Sequence, residues 1–471
     1  MNMEIKWKVS TVRDAGILIV FIFFITLIVI PSDGIKRNNP AVLATFLING
    51  IIWTVLLIVE LKKHSFSFAL INWCFFLFFY FFAASVQYMN GSFPWVDYIG
   101  DEKLLTANLI LMMWTGGIWC GQNIQINKKR KIVLKKRELP HYTRKTVKID
   151  YKAYLFIIVA IVAWRVANIG IMNLLARSTS GYAMSDSSAV ALLLENIMQA
   201  AAYFSAILVA KLSPKNSVAN WMPVVALLCL LVAYPPTGIS RYAAAAIYLG
   251  ALLTLSTKMK TGRLFVFLFM GAYIVGLPLL NAFRNVGFKD VDIVETLLRI
   301  LKSFGRMWLA GDYDAYTMFT LSIDYVKQNG ITWMTQLIGA VFFWIPRSIW
   351  KTKPIGSGAY MATELNWSFT NVSCPLPGEA LINMGIIGVV LFSAIIGKMM
   401  KRLDEQYWDE NESRSLTIEI LYPVLVIFFF FMNRGDLMSS MAYMMSYVVV
   451  GTILTKILCW DGKYGRNDVA K

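Results

Sequence analysis

Arg165, Arg241, Arg284 and Arg347 of this 471-residue chain stand at the ends of apolar runs or inside one. A guanidinium held beside fixed backbone presents paired N–H donors that match phosphate or carboxylate oxygens. Arg241 lies in PPTGISRYAAAA, a turn feeding a helix of small residues. Ser240 is placed to cap that helix, and its free N–H groups favour a nearby anion. Arg284, in NAFRNVG, follows an apolar run, and Arg347 follows a proline in WIPRSIW. Each of the three, taken alone, reads equally as an arginine snorkelling to an interface. Together on one face they point to a shared anionic ligand. Arg165, in FIIVAIVAWRVANIG, lies within a run, where arginine costs roughly 2.5 to 3.5 kcal/mol on insertion scales. It is a candidate ligand contact unless it snorkels to the nearer end.

The carboxylates are fewer. Asp312 and Asp314 form a D-x-D in GDYDAY, a pattern that holds a metal-diphosphate in some glycosyltransferases and that also occurs in solvated turns. Glu379 follows PLPG at the first turn of a helix, where it either complements the helix dipole or, in a desolvated cleft, acquires a raised pKa and serves as a general base. The two histidines, His64 and His141, sit beside lysines in loops, so a site on the opposite face works without histidine. The five cysteines, Cys74, Cys120, Cys229, Cys374 and Cys459, form no CxxC pair and specify neither a disulfide framework nor a thiolate metal cluster. Trp308, Tyr313, Tyr316, Trp333, Trp344, Trp350, Tyr360 and Trp367 give one region many flat rings, which suit either sugar faces or an interfacial belt.

What must position these residues is a membrane scaffold. Hydrophobic residues make up 57% of the chain and charged ones 15%, with a mean hydropathy of +0.57. Such a composition excludes a soluble multidomain protein. Apolar runs fit to cross a bilayer fall at 15–31, 41–60, 67–88, 104–126, 153–172, 189–210, 221–236, 242–257, 264–281, 379–397, 416–432 and 437–455, which predicts twelve spans. The first follows Lys6, Lys8 and Arg13 like a signal peptide, but it is long, lacks a small-residue cleavage site and reads as a retained span.

Lysine and arginine between the runs are about twice as numerous on one side as on the other, which places both termini and the basic loop 127–152 inside. The net charge of +17 is therefore read as topology and not as a nucleic-acid footprint. The organisation expected is helices 1–9 over 1–280, a large outward loop over 281–378, and helices 10–12 with a tail over 379–471. Within the loop, Val294, Leu297, Leu298, Leu301, Phe304 and Trp308 share one helical face opposite Asp292, Glu295, Arg299, Lys302 and Arg306, as an interfacial helix requires. The halves show no internal repeat, which argues against a transporter.

A basic inner loop after the fourth run, a Ser-Arg turn before a small-residue helix, an arginine just after a span, the string WIPRSIWKTKPIGSGAY and then LPGEALINMGIIGVVL resemble the Wzy-type O-antigen and capsular polysaccharide polymerases, also called oligosaccharide repeat unit polymerases. The likeness in order and topology covers most of the chain, and its specific residues lie in 237–241, 281–287 and 342–388. It implies an all-α polytopic fold similar to the glycosyltransferase C class, in the bacterial cytoplasmic (inner) membrane. It also implies transfer of a growing glycan from undecaprenyl diphosphate onto a new lipid-linked repeat unit at the outer leaflet, yielding O-antigen, capsule or exopolysaccharide with no cofactor and no metal.

By position, Arg284 and Arg347 would stabilise the diphosphate, Arg241, Arg165, Asp312 and Lys353 would contact substrate, and Glu379 would act as base. The partners implied are lipid-linked donor and acceptor, membrane lipids, a chain-length regulator and a flippase. Related O-antigen ligases use a histidine in the large loop, which this loop lacks. The competing readings are a lipid-linked oligosaccharide flippase or transporter, an O-antigen ligase, and a scaffold of an export complex.

Overall fold

The computed structural model describes residues 34–124, 151–175, 189–213, 221–256, 259, 264–282, 291–302, 304–409 and 415–457. The predicted run 15–31 and nearly all of the basic loop lie outside the described residues. Among the described residues the chain is all-helical, and eight helices are long and apolar enough to cross a membrane. The chain is a polytopic membrane protein. The eight are α1 (Pro40–Lys63), α2 (Phe68–Asn90), α3 (Asp101–Asn123), α4 (Tyr151–Ile169), α5 (Ala189–Leu212), α13 (Leu376–Trp408), α14 (Leu416–Arg434) and α15 (Leu437–Ile457). Three shorter apolar helices, α6 (Met222–Ala233), α7 (Arg241–Leu255) and α8 (Leu264–Leu280), fall on the remaining predicted runs. Between α8 and α13 come the helices α9 (Ile293–Lys302), α10 (Ala315–Asn329), α11 (Thr335–Val341) and α12 (Ser357–Glu364).

Helix starts follow local chemistry. The Asn39 side chain accepts from Ala41 N at 3.0 Å, with Pro40 opening α1. The Ser67 hydroxyl accepts from Leu70 N at 3.0 Å to open α2. These caps satisfy N–H groups that a helix leaves unpaired at its start. α2 is the central post: every residue of its stretches Phe68–Phe75 and Phe76–Ala83 is buried. The FLFFYFFA run winds as a π-helix, and its Phe78 and Phe79 rings meet Tyr273 at 4.6 and 5.7 Å. Tyr273 lies in a second π-helical turn, Ala272–Gly276, so the two widened turns face one another.

α3 and α13 cross where both carry small residues. A Cβ on Gly117 would come 1.8 Å from Ser393 Oγ, and one on Gly121 would come 2.0 Å from the Ala394 carbonyl. Close backbone approach through glycine is how apolar helices bind one another where no hydrophobic effect drives them together.

α13 is not continuous. Gly385 has φ 62° and ψ −150°, which separates a buried half-helix, 376–384, from the long half, 386–408. This region of backbone space is open essentially to glycine alone, and forcing another residue into it costs about 1 to 3 kcal/mol. Gly385→Ala is therefore expected to lower the thermal midpoint in detergent, although no atom but the Ile331 Cγ2, at 3.5 Å, stands near the added methyl. Gly116→Ala, where a Cβ meets nothing within 4 Å in mid-helix, is the control. It should leave the midpoint unchanged or raise it slightly, since alanine is the better helix former.

The loop helices are pinned at one end of this scaffold. Val294 and Leu298 of α9 are exposed, whereas Trp308 is fully buried against Phe78, Phe82 and Tyr313. The amphipathic face read from the sequence thus ends in a ring that anchors the loop to α2. At the far end of the bundle, Asp404 accepts from the N–H groups of Phe68 and Ala69 at 2.9 and 3.3 Å and so caps α2 a second time.

Candidate functional site

The loops after α2, α6, α8 and α14 converge around a cavity of about 790 Å³, whose lining includes Trp95, Arg241, Asp312, Asp314, Arg434 and Asp436. Arg241 opens α7, and the Ser240 hydroxyl accepts from Ala243 N at 3.2 Å, the cap expected from the sequence. Its guanidinium holds Asp312 with two bonds, 2.9 Å to Oδ2 and 2.6 Å to Oδ1. Arg434 ends α14 and donates from one nitrogen to Asp314 Oδ1 at 3.0 Å and to the Gly311 carbonyl at 3.1 Å. The Arg434 Nε is buried without a hydrogen-bond partner, and its guanidinium stands 5.8 Å over the Tyr242 ring.

Asp314 is the hub. Its carboxylate also accepts from the Trp95 indole N–H at 2.9 Å and from the Ser373 hydroxyl at 2.8 Å. Its side chain is 1% exposed, against 27% for Asp312. The two members of the D-x-D therefore differ in role. Asp314 ties three distant stretches of chain together, whereas Asp312 reaches the cavity with one arginine attached. Asp436 also lines the cavity; burial pushes its carboxyl above the ordinary range, an effect opposed by hydrogen bonds from Ser439.

Below the cavity a narrow apolar cleft of about 40 Å³ runs between α7, α8 and α14, with Ala245, Leu249, Phe269, Ala272, Ile427 and Phe430 among its walls. Tyr242 borders both spaces, so the polar cavity and the apolar cleft share a wall at that ring.

The other residues singled out from the sequence lie elsewhere. The exposed Arg347 donates to the carbonyls of Lys353 at 2.5 Å and Pro354 at 3.0 Å, and Lys353 donates to those of Phe343 at 2.5 Å and Ile345 at 3.0 Å. Both cations thus close their own loop, and desolvation, with Arg347 alongside, lowers the Lys353 pKa. Arg165 is fully buried between α4 and α5, paired with Glu195 at 2.5 Å, its guanidinium 4.2 Å over the Tyr234 ring. Glu379 is 2% exposed in the half-helix 376–384, where it accepts from the Ser357 hydroxyl at 2.6 Å and from Leu437 N at 2.9 Å. It joins the start of α12 to the start of α15 and does not line the cavity. Arg284 lies outside the described residues.

Several lining residues were not foreseen, among them Arg434, Asp436 and Trp95. Arg434 carries a signal, being a cation in the NRGD turn between two apolar runs, on a face where cations are few. Trp95 carries none, because its bond to Asp314 joins positions 219 residues apart.

Among the described residues no three His, Cys, Asp or Glu side chains gather in a group able to hold a metal ion. No protein-family model, curated protein or solved structure matches the chain.

Proposed function

We propose that this protein is a membrane-embedded glycosyltransferase that joins lipid-diphosphate-linked oligosaccharide repeat units into a surface polysaccharide. The observation that carries this reading is the pairing of two spaces: an arginine-lined cavity that shares the Tyr242 wall with an apolar cleft between three helices. An amphiphile with an anionic head and a hydrocarbon tail would set its head in the first and lay only the start of its tail against the second. In this reading α6, α7, α8 and the run 15–31 also cross the membrane, giving twelve spans in a glycosyltransferase C-like arrangement. Both termini are then cytoplasmic, and the cavity opens outward at the inner membrane of a bacterium. The loops that build the cavity all have the parity that this threading puts on the outer side.

The chemistry asks little beyond charge and position. As an acceptor hydroxyl attacks the anomeric carbon, the bond to the diphosphate oxygen breaks and negative charge grows on the leaving group. Preorganised donors in a poorly hydrated site stabilise such charge without reorganisation. Arg241 and Arg434 are the donors among the described residues; Arg347 spends its donors on its own loop, and Arg284, which the resemblance also implies, lies outside the described residues. The hydroxyl proton must leave as the new C–O bond forms. Asp436, which lines the cavity with its carboxyl pushed upward, is better placed to take it than the enclosed Glu379.

The test is a surface-glycan gel on a strain lacking the gene. Single repeat units in place of a ladder, with the ladder restored by the wild-type copy, are expected. Loss of even single units would place the protein at a flipping or ligation step, and an unchanged ladder would end the proposal.

A further inference from the structure

One row of rings at the cavity mouth offers faces that the charge chemistry does not use. Trp95 stands with its ring centre 5.0 Å from that of Phe369, and Phe369 lies 5.4 Å from Trp367 with planes 30° apart. Trp95 and Phe369 are 42% and 40% exposed, while Trp367 leans on the small core around Met318 and Tyr325. Thr370 and Asn371 follow Phe369 directly and line the cavity, so hydroxyl and amide groups stand beside the rings.

The orientation of Trp95 is fixed by two independent devices. Its indole N–H is taken by Asp314, and its ring lies across Gly311, where a Cβ would come within 2.2 Å of it. Its backbone φ of 70° is strained for a bulky residue. An aromatic ring that serves as a membrane anchor keeps its polar edge among lipid headgroups. Trp95 instead spends that edge on a buried carboxylate, which leaves the face of the ring as what it offers. Trp333, 80% exposed and without a ring partner among the described residues, is a ring of the other kind.

Building on the proposed function, we infer that Trp95, Phe369 and Trp367 form a carbohydrate-stacking subsite at the mouth of the cavity. The apolar C–H faces of successive sugar rings lie on the three aromatic rings, and Thr370 and Asn371 take sugar hydroxyls. The subsite holds the saccharide while the arginines hold the anionic head deeper in, so the chain leaves the cavity along the row Trp95, Phe369, Trp367.

The test uses the full-length protein in lipid nanodiscs. The probe is oligosaccharide freed from lipid and phosphate by mild acid hydrolysis of the host's own surface polysaccharide. Saturation-transfer NMR should show sugar C–H protons in contact with aromatic protons. Phe369→Ala and Trp367→Ala should each weaken binding by about tenfold, the scale of one aromatic contact. Phe369→Tyr and Trp333→Ala should bind as wild type does. Wild-type affinity in both alanine variants, or no binding by the wild type, would overturn the subsite. The outcome is separable from that of the proposed function. A ladder that needs Arg434 but reaches its normal length with Phe369→Ala would remove the subsite and leave the glycosyltransferase standing. A ladder indifferent to the whole gene would remove the glycosyltransferase, while the NMR contacts would still report on the rings directly.

Discussion

Replacing Arg434 by lysine is expected to reduce repeat-unit joining by about 100-fold or more, the usual cost of losing one preorganised donor at a developing charge. Lysine keeps the positive charge near Asp314 but loses the planar fork that serves the Gly311 carbonyl, the Asp314 carboxylate and an entering ligand together. Arg434→Ala is the harsher change, because it strips the charge partner from a carboxylate that is 1% exposed. Breaking a buried pair from one side costs about 3 to 5 kcal/mol, enough to remove the folded protein from the membrane.

The two effects separate in the double variant Arg434→Met with Asp314→Asn, which removes both charges and leaves an uncharged hydrogen-bonding side chain beside Trp95 and Ser373. Its level in the membrane should return to near that of the wild type, measured by immunoblot and detergent size-exclusion, while joining stays lost. A double variant that makes full-length polymer would show that Arg434 acts only as the counter-charge of Asp314.

Gly121→Leu is expected to have the largest effect on folding. The first added atom alone would meet the Ala394 carbonyl at 2.0 Å, and neither backbone can retreat without opening the whole crossing of α3 and α13. Overpacking a tight contact costs about 1 to 3 kcal/mol even in adaptable cores, and a backbone clash leaves no side chain to rotate away. The protein should be lost from the membrane fraction or aggregate on extraction. Gly116→Leu, five residues earlier on the same helix and facing open space, should be tolerated. Equal monodisperse yields of the two would mean that the crossing is looser than described.

The scaffold was legible because lipid removes choice. A segment in hydrocarbon must satisfy every backbone group within itself, so an apolar run of sufficient length is a helix, and its ends need caps that a single residue such as Ser240 reveals. The cluster of site residues at one end of the bundle is what the proposed threading requires. Partnership was not legible. Arg241 and Asp312 were each visible as candidates, but nothing local says that they hold one another across 71 positions. Arg347, in a proline-bounded turn on the same side, looked equivalent to Arg241. It differs only because the turn folds back far enough for its own carbonyls to use up the donors. Glu379 was legible as the carboxylate at a helix start, yet its enclosure depends on Ser357 and Leu437, which come from two other elements.

The pairing of each cavity arginine with an aspartate has a consequence for selectivity among membrane anions. In the proposed threading the cavity mouth lies at headgroup depth, among phospholipids that mostly offer one phosphate each. Asp312 already holds one donor on each terminal nitrogen of Arg241, so a visitor gains that fork only by displacing the carboxylate. A single phosphate monoester or diester brings no more oxygens than it displaces and gains little. A group with two linked phosphates can place one phosphate on Arg241, releasing the more exposed Asp312, and the other beside Arg434, whose bond to Asp314 stays in place, which makes displacement favourable for that class of headgroup. The cavity is in this sense guarded by internal competition, and it needs no moving door to stay clear of the bulk lipid.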